Sequence, residues 1–349
     1  MALTPRPAVR PLLALGVGGL AAVLAACSGS SGSAGQAGSS ASAASTSGSV
    51  AAVIKGLDNP FFQTMESGLK DDAGSTALTV QAASSITDTS GQADKLTSLA
   101  GQSFGCFVIN PISGTNLVQG VAQLSAKKIP IVNIDSPIDS AAAEAASATI
   151  ATYIGTDNVE AGKLGGKEMS TLLPSGGQVA LIGGISGDAT SGARLEGFQK
   201  GISSSISVVQ TVAADWDRQT ALTKATDILS AKPDLKGFFV ANDDMGLGVA
   251  RAIANAGKTG KVKVISVDGN KDAFEAVKAG GIDAVVAQFP YVIGKMGLEA
   301  CRAAMAGKTL PTSVKAPVQL VTKANVDAAL SAAPKPGDAY TDPFADLLK

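Results

Sequence analysis

Short apolar runs separated by amphipathic stretches recur along the chain from residue 50 onward. Val50-Ala51-Ala52-Val53-Ile54 is unbroken apolar sequence, the pattern of a strand covered on both faces. A polar turn, Asp58-Asn59-Pro60, follows, and residues 61–73 then space their apolar positions as a helix does. The alternation continues with strands predicted at 78–82, 106–109 and 129–134, and helices at 90–102 and 114–127. A second series starts near Asn158. Its predicted helices span 158–173, 188–202, 217–231, 244–256, 271–279 and 292–306, and its predicted strands 178–182, 207–213, 237–240, 262–267 and 284–288. This order predicts parallel sheet with right-handed crossovers, in an α/β fold of two doubly wound lobes. Ligands of such sheets bind beyond the carboxyl ends of the strands. Asn110, Asp135, Asn242, Asp268 and Gln288 stand at those ends and are candidate cleft residues.

The first 49 residues follow another rule. Arg6 and Arg10 precede an apolar run from Pro11 to Ala26, the layout of a secretory leader and too short for a membrane span. The run ends in Leu24-Ala25-Ala26-Cys27, which resembles the lipobox of bacterial lipoproteins, whose cysteine is lipidated and becomes the new N-terminus. Residues 28–49, almost wholly Ser, Gly, Ala and Thr, lack the apolar surface to fold and are expected to act as a leash. Residues 1–26 are thus expected to be a signal peptide, and 27–49 the anchor cysteine and linker.

Composition removes several function classes. The chain has 349 residues, 45% hydrophobic, enough for two domains with cores. Its 28 basic and 29 acidic residues are interspersed, so nothing favours nucleic-acid phosphates or anionic lipid. There is no histidine, which excludes a Ser-His-Asp or Cys-His apparatus and the commonest metal ligand. Cys106 and Cys301 form no CxxC pair and are expected to be small buried hydrophobes rather than a disulfide. Gly183-Gly184-Ile185-Ser186-Gly187 lacks the dinucleotide spacing, and Asp243-Asp244 with Gly246 is no calcium loop. No metal, cofactor or catalytic chemistry is expected.

A set of segments then carries a family resemblance. Asn59-Pro60-Phe61-Phe62, Ile109-Asn110-Pro111, Asp157-Asn158, Arg194-Leu195-Glu196-Gly197-Phe198, Asp215-Trp216-Asp217-Arg218, Ala241-Asn242-Asp243, Val267-Asp268-Gly269 and Ala287-Gln288 resemble, in order and spacing, the pentose and hexose periplasmic binding proteins. Lys55 and residues 254–261 are similar to the allose-binding branch, with the ribose-binding branch next. Ser136 departs from the family, which usually has a charged side chain there. The resemblance implies two Rossmann-like lobes joined by a three-strand hinge, crossing near Thr156-Asp157, Gln288-Phe289 and Gln319-Leu320. Lobe boundaries would be 50–156 with 289–319, and 157–288 with 320–349. It further implies a monomeric, extracytoplasmic, lipid-anchored component of an ABC sugar importer that closes on a monosaccharide and presents it to a membrane permease. An affinity typical of such proteins, about 1 μM, corresponds to about −8 kcal/mol.

The residue types suit that guest. A pyranose has apolar faces and a hydroxyl rim. Phe61, Phe62 and Trp216, the only tryptophan, would flank the faces. Asp135 and Asp268 would accept from hydroxyls, Arg194 and Lys55 would donate, and Asn59, Asn110, Asn242, Gln288 and Ser136 complete the expected set. Asn59 is equally expected to cap the helix it precedes. Alternatives remain at this point: a partner of a membrane sensor, a polyol binder, a glycosidase using Asp135 and Asp268, or a sugar-responsive repressor, for which the N-terminus lacks DNA-binding helices.

Overall fold

The computed structural model describes residues 48–349. The leader, Cys27 and nearly all of the linker lie outside the described residues. The first lobe begins with β1 (Ser49–Ile54), α1 (Pro60–Asp71), β2 (Ala77–Ala82), α2 (Thr89–Ala100) and β3 (Cys106–Ile109). It continues with α3 (Val118–Ala126), β4 (Ile131–Ile134), α4 (Ser140–Ala145) and β5 (Thr152–Gly155). The second lobe holds α5 (Asn158–Leu172), β6 (Gly177–Gly183), α6 (Ala189–Gly201), β7 (Ile206–Ala213) and α7 (Arg218–Ala231). It then adds β8 (Gly237–Val240), α8 (Asp243–Asn255), β9 (Lys263–Asp268), α9 (Lys271–Ala279) and β10 (Ala284–Gln288). The chain ends with α10 (Pro290–Met305), β11 (Ser313–Lys315), β12 (Val318–Thr322), α11 (Val326–Ala332) and α12 (Pro343–Leu347).

Each lobe is built on a six-stranded sheet, ordered β11-β5-β4-β3-β1-β2 and β12-β10-β9-β8-β6-β7. All pairings are parallel except β10 with β12. Strands β1, β3, β4, β8 and β10 are buried almost throughout, which explains their unbroken apolar sequence. Side-chain caps start most of the helices. Asn59, Asp157, Asp188, Asp217 and Asn242 each accept from a backbone N–H of the first turn.

Three features of the long-range organisation depart from the sequence expectation. Cys106 on β3 and Cys301 on α10 are joined by a disulfide with Cα atoms 5.6 Å apart, and both are fully buried. Helix α10 lies on β3, β4 and β5, so residues 195 positions apart in sequence become neighbours. The third crossing falls at Ala316-Pro317 rather than Gln319-Leu320, because β12 already pairs with β10 in the second sheet. The tail then returns to the first lobe, although 320–349 were expected to stay with the second. Helix α11 packs on α9 and β12, but α12 packs on α10. Phe344 is completely buried there, and Lys295 donates to Asp342 at 2.8 Å and to Glu299 at 2.7 Å. The described chain therefore passes between lobes four times.

Candidate functional site

The strand ends of both sheets face a shared cleft. From the first lobe it is lined by Lys55, Asn59, Phe61, Phe62, Asp135 and Ser136, and from the second by Arg194, Trp216, Asn242 and Asp268. Ten of the twelve expected residues thus come together at one place. Ile86, Ile112, Ile185, Asp188 and Thr190, none of them singled out from sequence, complete the lining.

On the first lobe, Asn59 does both of its expected jobs. Its Oδ1 accepts from the Phe61 N–H at 2.9 Å, starting α1, and the residue also lines the cleft. Pro60 at the helix start holds Phe61 and Phe62 at the mouth of the lobe, edge to face with centroids 5.2 Å apart. Lys55 Nζ stands 5.3 Å from the Phe62 ring, donates to Ser136 Oγ at 2.7 Å, and lies 4.0 Å from Asp135 Oδ2. The position without the family's usual charge therefore meets an ammonium instead. Asp135 has φ of +60°, the left-handed region. Its carbonyl accepts from Tyr153 Oη at 2.5 Å, and burial raises the Tyr153 phenol far above its ordinary range. Asn133 steadies the same turn, donating to Ser136 O at 2.8 Å and accepting from Ile138 N at 2.9 Å.

On the second lobe, Arg194 is a buried hub. It donates to Asn158 Oδ1 at 2.8 Å, to the Ala241 carbonyl at 2.6 Å and to Asp268 Oδ1 at 3.2 Å. Its guanidinium carbon stands 6.0 Å from the Trp216 ring. Asp215 and Trp216 have φ of +54° and +62°, an uncommon conformation that turns the indole over the strand end. Gly184 is needed beneath it, since a Cβ there would collide with the indole. Asn242 Oδ1 accepts from Met245 N at 3.0 Å, capping α8. Asp268, at φ +142°, is strained as well. Burial pushes its carboxyl up to about 6, opposed by the adjacent Arg194 cation and reinforced by the charge of Asp135.

Two expected residues lie elsewhere. Asn110 is fully buried behind the cleft, its Nδ2 3.4 Å from Met65 Sδ and its side-chain Oδ1 without a hydrogen-bond partner, while its backbone carbonyl accepts from Gln92 Nε2 at 2.8 Å. Gln288 sits behind Asp268, donating to Asp268 Oδ1 at 2.8 Å, and lines a separate cavity of about 290 Å³ at the hinge. Both stand at strand ends, as read from sequence, but one layer deeper than the lining. Among the described residues no cluster of His, Cys, Asp and Glu could hold a metal ion.

The arrangement offers aromatic faces and polar groups of both donor and acceptor type, drawn from two lobes. The periplasmic binding protein domain model matches residues 50–309. A D-allose-binding periplasmic protein of Escherichia coli is 39% identical over 275 residues, covering 76% of this chain and 88% of that one. A D-ribose/D-allose-binding protein of Pseudomonas aeruginosa is 30% identical over 282 residues, covering 78% and 88%. Among solved structures, an ABC transporter periplasmic solute-binding protein of Actinobacillus succinogenes with bound D-allose superposes with a TM-score of 0.76 at 27% identity. That alignment covers 80% of this chain and 99% of the other. An ABC transporter solute-binding protein of Agrobacterium vitis with bound D-fucose gives a TM-score of 0.74 at 28% identity, covering 80% and 97%. With two α/β lobes lining one cleft, and the domain model spanning both of them, the chain belongs to the periplasmic binding protein family.

Proposed function

We propose that this protein is the solute-binding component of an ABC-type sugar importer, holding a monosaccharide in the interlobe cleft and presenting it to a membrane permease. The observation that carries this reading is the division of labour between lobes. Phe61, Phe62 and the Lys55–Asp135 pair face Trp216, Asn242 and the Arg194–Asp268 pair across one cleft. Each half alone offers part of a sugar's hydrogen-bonding rim. A guest that bonds to both halves favours the closed state and draws the population toward it. No bond is made or broken; carboxylates accept, cations donate, and flat rings cover the apolar face.

The sugar is an aldohexose of the allose type or ribose. Lys55 supports the first choice, because an ammonium reaching Ser136 and Asp135 adds a charged donor on the first-lobe side. The chain works outside the cytoplasm, held at the membrane by lipid on Cys27, and no helix among the described residues is long and apolar enough to cross a membrane. Thermal-shift measurements with D-allose, D-ribose, D-fucose and a polyol such as glycerol test the reading. Stabilisation by D-allose above the others is expected. Stabilisation by none of the sugars would overturn it.

A further inference from the structure

Next to the cap residue Asn242 stands Asp243, a fully buried carboxylate that lines no part of the cleft. Burying an ionisable group is costly unless its oxygens are satisfied. Here they are satisfied by one particular segment. Oδ1 accepts from Ser266 Oγ at 2.5 Å, and Oδ2 accepts from the backbone N–H groups of Gly269 and Asn270 at 2.7 and 2.8 Å. These three donors flank Asp268 on both sides. Asp268 and Gly269 both carry positive φ, +142° and +94°, so the turn leaves β9 in a conformation it would not hold unaided. The backbone of Asp243, at the start of α8, also favours the ionised form of Asp268.

We propose that Asp243 is a positioning residue that clamps the turn around Asp268 and so sets the affinity of the cleft without touching the ligand. The proposal rests on the reading that Asp268 accepts from a sugar hydroxyl. Substrate-facing carboxylates need fixed direction, and a strained turn relaxes when its anchor is lost. Burial and the Asp268 charge raise the Asp243 carboxyl well above its ordinary value, and a carboxyl group in either protonation state can bond to the Ser266 hydroxyl and accept from the two N–H groups of the turn.

The test is Asp243→Ala in the full chain, which removes all three contacts to the turn, beside Asp243→Asn, whose Oδ1 can still accept from the Gly269 and Asn270 N–H groups while its Nδ2 donates to Ser266 Oγ. D-Allose and D-ribose are titrated in parallel, following Trp216 fluorescence, at pH 7.5. Affinity of Asp243→Ala is expected to fall at least tenfold, about one decade for each strong polar contact misplaced. Asp243→Asn is expected to restore it to within about threefold of the unaltered protein. Unchanged affinity in Asp243→Ala overturns the proposal. So does an equal loss in Asp243→Asn, since the retained hydrogen bonds would then count for nothing. Ser266→Ala provides a second route that leaves both carboxylates in place. Its expected outcome is a severalfold loss of affinity, and no loss of affinity counts against the clamp. Asp268→Ala separates the two layers. If it binds normally the functional reading fails, whereas its loss of binding beside a normal Asp243→Ala sinks only the clamp.

Discussion

Arg194 Nη1 meets Asp268 Oδ1 at 3.2 Å, and both side chains are almost completely buried. The same guanidinium holds Asn158 and the Ala241 carbonyl, so one cation ties α5, the end of β8 and the end of β9 together. Replacing it leaves a buried carboxylate with no counter-charge. Arg194→Met is expected to cost about 3 kcal/mol of folding stability, since breaking one side of a buried pair leaves the other uncompensated. Urea unfolding followed by circular dichroism measures this. A cost below about 1 kcal/mol would show that the pair is solvated.

Affinity should depend on pH through Asp268, whose carboxyl is raised to about 6 by burial. The sign follows from linkage. A raised carboxyl favours the protonated form in the empty cleft, so the sugar-free protein gains stability as pH falls through 6 toward the ordinary carboxylate value. A sugar hydroxyl donating to Asp268 needs the ionised form, so the bound state does not share that gain. Below pH 6 the dissociation constant is expected to rise by up to about tenfold per unit. Isothermal titration at pH 7.5, 6 and 5 in one buffer series checks it, and a flat series would remove Asp268 as the ionised acceptor.

The Cys106–Cys301 bridge closes a loop with a sequence separation of 195. In the chain-entropy account, closing so long a loop restricts the unfolded chain and stabilises by about 5 kcal/mol. The double variant Cys106→Ala, Cys301→Ala is expected to lose most of that while still binding sugar, because neither residue lines the cleft. Denaturant midpoints with and without reductant measure it. Equal midpoints would mean that the thiols remain apart in the folded protein.

Removing the Phe344 ring should empty its seat against α10. A fully buried phenylalanine cut to alanine costs about 3 kcal/mol where the site cannot collapse. Phe344→Ala is therefore expected to free α12, detected as new protease cleavage between residues 334 and 349 while the two sheets stay protected. An unaltered cleavage pattern would show that Lys295, Glu299 and Asp342 hold the tail by themselves.

Most of the fold was legible because the buried parallel strands leave a one-state signal: continuous apolar runs such as Val50–Ile54 and Cys106–Ile109, lying between helices of ordinary length. Strand β5, Thr152–Gly155, was missed, since a polar Thr and a Tyr that spends its hydroxyl on Asp135 break the pattern. Helix α3 starts four residues later than expected because Ser113 and Asn116 bond into a turn first. The cleft was legible from strand ends and turn residues, but depth was not. Asn110 and Gln288 end their strands as Asp135 and Asp268 do, but the pairing register, with Ile109 opposite Asn133 and Ala287 opposite Asp268, sets each one residue out of step with its neighbour. The disulfide and the returning tail depend on contacts between residues far apart in sequence, for which no local pattern exists.

The returning tail also places Ser49, at the start of β1, and the last helix on the same lobe. Reporters fused to the two ends of the folded region would therefore ride together as the other lobe swings, and their separation would be blind to closure. A sensor built from this protein needs one probe inserted within residues 158–288, where the moving half has no terminus of its own.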